Sequence, residues 1–342
     1  MTSIKNGNLV ELSNIHYDLL CNKFNFSISK RLNKSLEEYK LKSEFINKEY
    51  YKLLEYIKNN LKEIITGKPE TLDKQKKELI KLSMPFEFTK NQKLKTNDQQ
   101  KVLEDLNYIF NYKTFSSNGF RNKKNKKIID KFYSGNILVE NINLSVCPYC
   151  NRNTIYNLKY TKNRTSELDH FYPQSKYPYF ALSFYNLIPS CKVCNQIKLD
   201  NDDKIYINPY DKRFDFNKNM KFSLKIKDST FYHLEDGFKL NCKFDKDISI
   251  DEKSRIKNNI KDFKLYDLYQ NHKDIPLELI QKSQIYNDSY IDELYTKYEG
   301  TLFKNREDLL RLITCGYIND EDIDKRPLSK LIKDILEELG LI

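Results

Sequence analysis

The chain has 342 residues, 39% of them hydrophobic and 31% charged, with seven cysteines and a formal net charge of +11. That length and apolar content exclude an intrinsically disordered chain and suffice for two or three ordinary domains. No run nears the roughly 18 apolar residues of a membrane span, and MTSIKNGNLVELSN lacks the apolar stretch of a signal peptide, so a soluble, cytoplasmic protein is expected.

Charge is unevenly spread. Residues 1–200 carry 34 Lys+Arg against 20 Asp+Glu, net +14, whereas residues 201–342 carry 25 against 28, net −3. A basic half suits a nucleic-acid partner. Abundant Lys, Asn, Ile and Tyr fit A+T-rich codon usage equally well.

Along 28–66 apolar residues recur at three- and four-residue steps (Leu32, Leu36, Tyr39, then Tyr51, Leu54, Ile57, Leu61, Ile64), which predicts two amphipathic helices. Gly67, Pro69 and Pro85 punctuate the next stretch, with a short helix over about 72–82 and another over about 98–112 that Thr96 or Asn97 would cap. A loop at 116–119 leads into Arg121, Lys123, Lys124, Lys126 and Lys127, five cations in seven residues ahead of a helix reaching about Tyr133. This cluster reads as a grip on a phosphate backbone or, with equal weight, as a solvated loop.

Farther on, a turn at 208–211 precedes strands over 221–227 and 238–244, and helical periodicity returns from about Asp251 to a last helix over 328–339. The expected organisation is α+β: a helical region over 1–135, a zinc-stapled core over 136–212, and short strands then helices over 213–342.

Cys147-Pro-Tyr-Cys150 and Cys191-Lys-Val-Cys194 are two knuckles separated by 40 residues. Cys21, Cys242 and Cys315 stand alone and the total is odd, unlike a disulfide framework. Four thiolates suit a closed tetrahedral zinc site, which has no open position and is therefore structural. It would pin the ends of an excursion that reads as too poor in apolar residues for its own core. The competing reading is two unrelated reduced pairs or a redox CxxC.

Between the knuckles, Asp169 directly precedes His170 in Glu167-Leu168-Asp169-His170-Phe171-Tyr172-Pro173. On a strand the two would face opposite sides, serving one centre only where the chain bends, and Pro173 marks an end to regular pairing nearby. Asn186 precedes the second knuckle, and Asn195 and Lys198 follow it one helical turn apart, so they would share a face. Histidine's unperturbed pKa of about 6.5 suits a base that activates water near neutral pH. His16, His233 and His272 lack such neighbours and read as surface or packing residues. Tyr172, Tyr177, Tyr179, Phe180, Phe184 and Tyr185 suit base stacking or, more readily, a small core.

This order of knuckle, Asp-His-x-x-Pro, Asn-Leu, knuckle and Asn-x-x-Lys resembles the HNH, or His-Me finger, endonucleases in their four-cysteine zinc branch, over 147–198 only. The resemblance implies a ββα-metal core, with strands over 154–160 and 164–170 and a helix opened by Asn195. It implies His170 as general base, Asp169 and Asn195 as ligands of a catalytic Mg²⁺ or Mn²⁺, Asn186 as the residue orienting the base, and Lys198 against the phosphate. Other members carry histidine where Asn195 stands, which puts the metal preference in doubt.

The runs CPYCNRN, ELDHFYPQSKYP and NLIPSCKVCN are similar to HNH effectors of bacterial anti-phage systems such as Septu and certain retrons. That likeness implies an effector of anti-phage defence that works beside an ATPase partner protein; the expected polymer is DNA, with RNA left open. The alternatives are a non-catalytic zinc-stapled module binding nucleic acid or protein, and a stand-alone restriction or homing-type nuclease.

Overall fold

The structure is a computed structural model describing residues 1–24, 27–86, 96–117, 119–121, 132–158, 160–161, 163–200 and 206–342. Its N-terminal third is helical: α1 (Leu9–Asp18), α2 (Ile28–Lys40), α3 (Phe45–Asn59), α4 (Leu61–Thr66), α5 (Pro69–Ser83), α6 (Asn97–Ile109) and α7 (Tyr112–Ser117). Three helices rather than two occupy 28–66, because Asn60 leaves the helical conformation (φ −111°, ψ 14°) before Leu61. One face of α2 buries Ile28, Leu32, Leu36 and Tyr39, and one face of α3 buries Tyr50, Leu53, Leu54 and Ile57. Thr96 starts α6 through a reciprocal capping box with Gln99. Asp105 on α6 accepts from Ser35 (2.9 Å) and Tyr50 (2.7 Å), tying three helices together.

Where a helix is expected to reach about Tyr133, the described residues Phe132 and Tyr133 are extended, and residues 122–131 lie outside the described residues. Strand β1 (Phe120–Arg121) pairs antiparallel with β2 (Phe132–Tyr133), and Phe120 and Tyr133, opposite one another, are both buried. Arg121 contributes its backbone to β1. Lys123, Lys124, Lys126 and Lys127 lie outside the described residues. Helix α8 (Gly135–Ile142) then leads to the first knuckle.

The hairpin of the central region also differs from expectation. Within 154–160 the described residues form only single bridges, Val146 with Thr154 and Asn157 with Arg164. The paired strands are β3 (Glu167–His170) and β4 (Leu187–Ser190), antiparallel from Glu167 opposite Ser190 to His170 opposite Leu187. Pro189 is tolerated because in a two-stranded pair alternate residues turn their N–H away from the partner. Helix α9 (Lys192–Lys198) follows at once. Cys191 caps it, its Sγ accepting from the Cys194 amide, so Asn195 lies inside α9 rather than opening it.

The excursion between the knuckles is rich in buried apolar side chains, contrary to its reading as core-poor. Ile155, Leu168, Phe171, Tyr172, Tyr177, Tyr179, Phe180, Leu182, Phe184, Tyr185, Leu187 and Ile188 are all at most 9% exposed. Its aromatic residues pack edge to face on one another, for example Tyr179 on Phe180 at 5.0 Å.

Beyond it, α10 (Phe216–Asn219) precedes the antiparallel strands β5 (Met220–Ile226) and β6 (Phe238–Phe244). Helices α11 (Ile250–Asp262), α12 (Leu265–Gln270), α13 (Asp274–Ile285), α14 (Asp288–Tyr298), α15 (Arg306–Thr314) and α16 (Ser329–Glu338) complete the chain. Apolar side chains from the beginning, middle and end join one contiguous core. Among the described residues no helix is long and apolar enough to cross a membrane.

Candidate functional site

The two knuckles meet. The sulfurs of Cys147, Cys150, Cys191 and Cys194 all lie within 4.8 Å of one another and all four residues are buried. Cys150 and Cys191 Sγ are 4.0 Å apart, close to the ~3.8 Å edge of a tetrahedron with Zn–S bonds of about 2.3 Å and twice a disulfide bond. Backbone N–H groups of Arg152 and Cys194 point at Cys150 and Cys191 Sγ (3.4 Å each), and Asn153 Nδ2 donates to Cys191 Sγ (3.2 Å). Such donors stabilise thiolate, whereas burial pushes the Cys147 thiol up. A soft divalent ion shared by the four resolves that conflict, so the donor set fits structural zinc.

The knuckle is also where distant parts of the chain converge. Asn151 adopts the left-handed conformation (φ +49°) that asparagine tolerates. Its side chain donates to Ile323 O (3.0 Å) and accepts from Lys330 N (3.0 Å), while its carbonyl accepts from Leu328 N (2.6 Å). Tyr269 Oη donates to Cys150 O (2.6 Å), and Thr2 N to Pro148 O (2.9 Å).

Beside it stand the residues singled out from sequence. Asp169, on β3, is 3% exposed, and each carboxylate oxygen has a partner. Oδ2 accepts from Tyr149 Oη at 2.6 Å, and Oδ1 from Lys198 Nζ at 3.1 Å. Lys198 Nζ also donates to His170 O at 2.6 Å. Its ammonium is thus paired with a carboxylate in the interior, not extended toward a phosphate.

His170 is half-buried. Its Nε2 lies 3.0 Å from Ala181 O, and its ring meets Tyr112 edge to face at 4.3 Å. A carbonyl only accepts, so Nε2 carries the hydrogen and Nδ1 keeps its lone pair. Burial lowers the pKa to about 4 despite the Ala181 contact, leaving the imidazole neutral at neutral pH.

The side-chain hydrogen bonds of Asn186 go to backbone groups rather than to the His170 ring. Its Nδ2 donates to Phe180 O (3.0 Å) and Tyr172 O (3.2 Å), and its Oδ1 accepts from Tyr172 N (2.7 Å). Three successive carbonyls are thereby held by side chains: Phe180 by Asn186, Ala181 by His170, and Leu182 by His16 Nε2 at 2.8 Å. His16, fully buried on α1, also bonds Tyr133 Oη through Nδ1 (2.7 Å). Asn195 is half-buried on the face of α9 that carries Lys198.

Comparison of the chain with protein-family models, with curated proteins and with solved structures finds no match. The geometry therefore stands alone. It gathers the four cysteines into one centre and sets Asp169 against Lys198, while β3 pairs regularly through His170 and so directs the imidazole to its other face, against Tyr112 and Ala181 O. Among the described residues the cysteines are the one group of three or more His, Cys, Asp or Glu side chains able to share a metal ion. Sequence reasoning missed Tyr149 and Tyr112, because a tyrosine in a knuckle spacer or a short helix carries no periodic or motif signal.

Proposed function

We propose that the chain is a metal-dependent HNH-type endonuclease that hydrolyses phosphodiester bonds, with DNA as its polymer. One observation carries this reading: two antiparallel strands followed by a helix place Asp169 and His170 on the first strand and Asn195 on the helix, closed off by the four cysteines. His170, its Nε2 anchored on Ala181 O, offers Nδ1 to take a proton from water as the water oxygen bonds to phosphorus and the phosphorus–leaving-oxygen bond breaks. Asp169 and the Asn195 amide oxygen would hold a hard divalent ion, which when bound neutralises charge on the phosphate and the leaving oxygen. Lys198 would pass from Asp169 to the substrate phosphate. The zinc centre takes no part in bond making.

The likeness to anti-phage effectors extends the proposal to a defence role beside an ATPase partner. A second reading, a non-catalytic binding module, draws support from the Lys198–Asp169 pair, which already satisfies the carboxylate. Incubating the purified chain with plasmid, linear and single-stranded DNA and with RNA, in Mg²⁺ and in Mn²⁺, separates the two. Cleavage is expected, reduced 10²–10⁴-fold in His170→Ala with zinc content and folding unchanged. Equal cleavage by His170→Ala sinks the assignment, and binding without turnover in either metal favours the module.

A further inference from the structure

We infer that Tyr149 is a positioning residue for Asp169, linking the four-cysteine centre to the carboxylate on which the proposed reaction depends. The inference rests on that nuclease reading and adds a residue to its site.

Tyr149 is a spacer residue of the first knuckle, so its backbone is held between two zinc-type ligands. Asn151 N donates to Cys147 O (2.7 Å) and Cys147 N to Asn153 O (2.9 Å), fixing the turn that aims the side chain. The ring is fully buried and stacks on Phe263 at 4.5 Å with planes 22° apart. With backbone and ring both immobilised, the hydroxyl has one place to go, and it donates to Asp169 Oδ2 at 2.6 Å.

A carboxylate held at one oxygen cannot spin about its terminal torsion. The other oxygen, Oδ1, is thereby kept toward Lys198, on the side where α9 carries Asn195. A tyrosine serving only to fill space would need no particular acceptor. This one commits its hydroxyl to the single carboxylate next to His170. The four cysteines, which would hold the zinc, fix the turn that aims Tyr149, and Tyr149 in turn holds Asp169.

The test is a Mn²⁺ titration of the full, zinc-loaded chain, with free Mn²⁺ read by electron paramagnetic resonance, on wild type, Tyr149→Phe and Asp169→Asn. Tyr149→Phe keeps the ring and its stack and deletes only the hydroxyl. It should retain zinc, weaken Mn²⁺ binding about tenfold, as expected for one hydrogen bond to a charged group, and lower kcat with the substrate KM unchanged. Wild-type Mn²⁺ affinity in Tyr149→Phe overturns the role while leaving the nuclease reading intact. A wild-type chain that binds Mn²⁺ no better than Asp169→Asn overturns both. Should Tyr149→Phe shed zinc, Phe263→Leu replaces it, loosening the ring without removing the hydroxyl, and unchanged Mn²⁺ affinity in that variant overturns the role.

Discussion

Two buried lysine–aspartate pairs flank the zinc knuckle, and they are built differently. Lys330 and Asp334 lie one turn apart on α16, with Nζ 2.6 Å from both carboxylate oxygens and Phe222 N adding a third bond at 2.8 Å. Burial lowers Lys330 and raises Asp334, and contact with each other works against both shifts. Lys198 and Asp169 are as thoroughly covered but join a helix to a strand, and Lys198 holds only one oxygen of its partner. Half-buried His170 and Asn195 stand beside this second pair. The first arrangement is closed within its own helix and serves stability. The second joins two elements, with the ammonium shared between one oxygen of the carboxylate and the His170 carbonyl while Tyr149 holds the other oxygen.

Zinc withdrawal strikes both pairs at once, since Asn151 anchors the start of α16 and Tyr149 holds Asp169. Structural zinc sites carry on the order of 10 kcal/mol of folding free energy, so chelation or Cys191→Ser should abolish cooperative unfolding in calorimetry. An unchanged transition in the zinc-free chain would mean that the fold stands without the staple. Next in size, Lys330→Met strands a buried carboxylate and should lower stability by about 3–5 kcal/mol in urea titrations, with nothing regained in Mn²⁺.

Acid offers a third separation. Burial lowers both His16 and His170 to about 4, below the ~6.5 of the unfolded chain. The unfolded chain therefore binds more protons across that interval, so the stabilisation is complete above about pH 6.5 and is lost as pH falls toward 4. For fully buried His16 it amounts to roughly 3 kcal/mol. Urea midpoints at pH 7 and pH 4.5 should differ less in His16→Gln, which keeps a donor and an acceptor without the charge. An equal acid loss in that variant assigns the effect elsewhere.

Smallest is Lys198→Met, expected to cost about 2 kcal/mol in buffer free of Mg²⁺ and Mn²⁺. Unlike Lys330→Met, it should regain roughly 2.7 kcal/mol when Mn²⁺ reaches a hundredfold excess over its dissociation constant. Matching responses of the two variants to Mn²⁺ would erase the distinction between the pairs.

Much of this was legible from the residues alone. Paired cysteines at matched spacing pointed to one centre, and alternation found the strands β5 and β6 within a residue, while periodic apolar positions found helices over 28–66 without their boundaries and α6 with an end about three residues too late. What escaped was chosen by tertiary contact. Residues 187–190 contain a proline and are too short to show a period, yet they pair with β3, where Leu187 and Ile188 are both fully buried. Asn195 moved into its helix because a cysteine sulfur took the capping position. Phe132 and Tyr133 became a strand opposite Phe120 because two residues hold no helical period to prefer. The Tyr149 and Asn186 contacts arise from chain segments 14 to 20 residues apart meeting in space.

The Asn151 contact carries a consequence for how the chain is made. Its partners at Ile323 and Lys330 lie 172 and 179 residues downstream. At ribosomal rates of about 5–20 residues per second they emerge roughly 9 to 36 s after the first knuckle. During that interval the first knuckle lacks the downstream partners of Asn151 and, at first, the second knuckle. Metal capture can begin once Cys191 and Cys194 emerge, the former 41 residues behind Cys150, whereas the contacts that tie Asn151 to the start of α16 close much later.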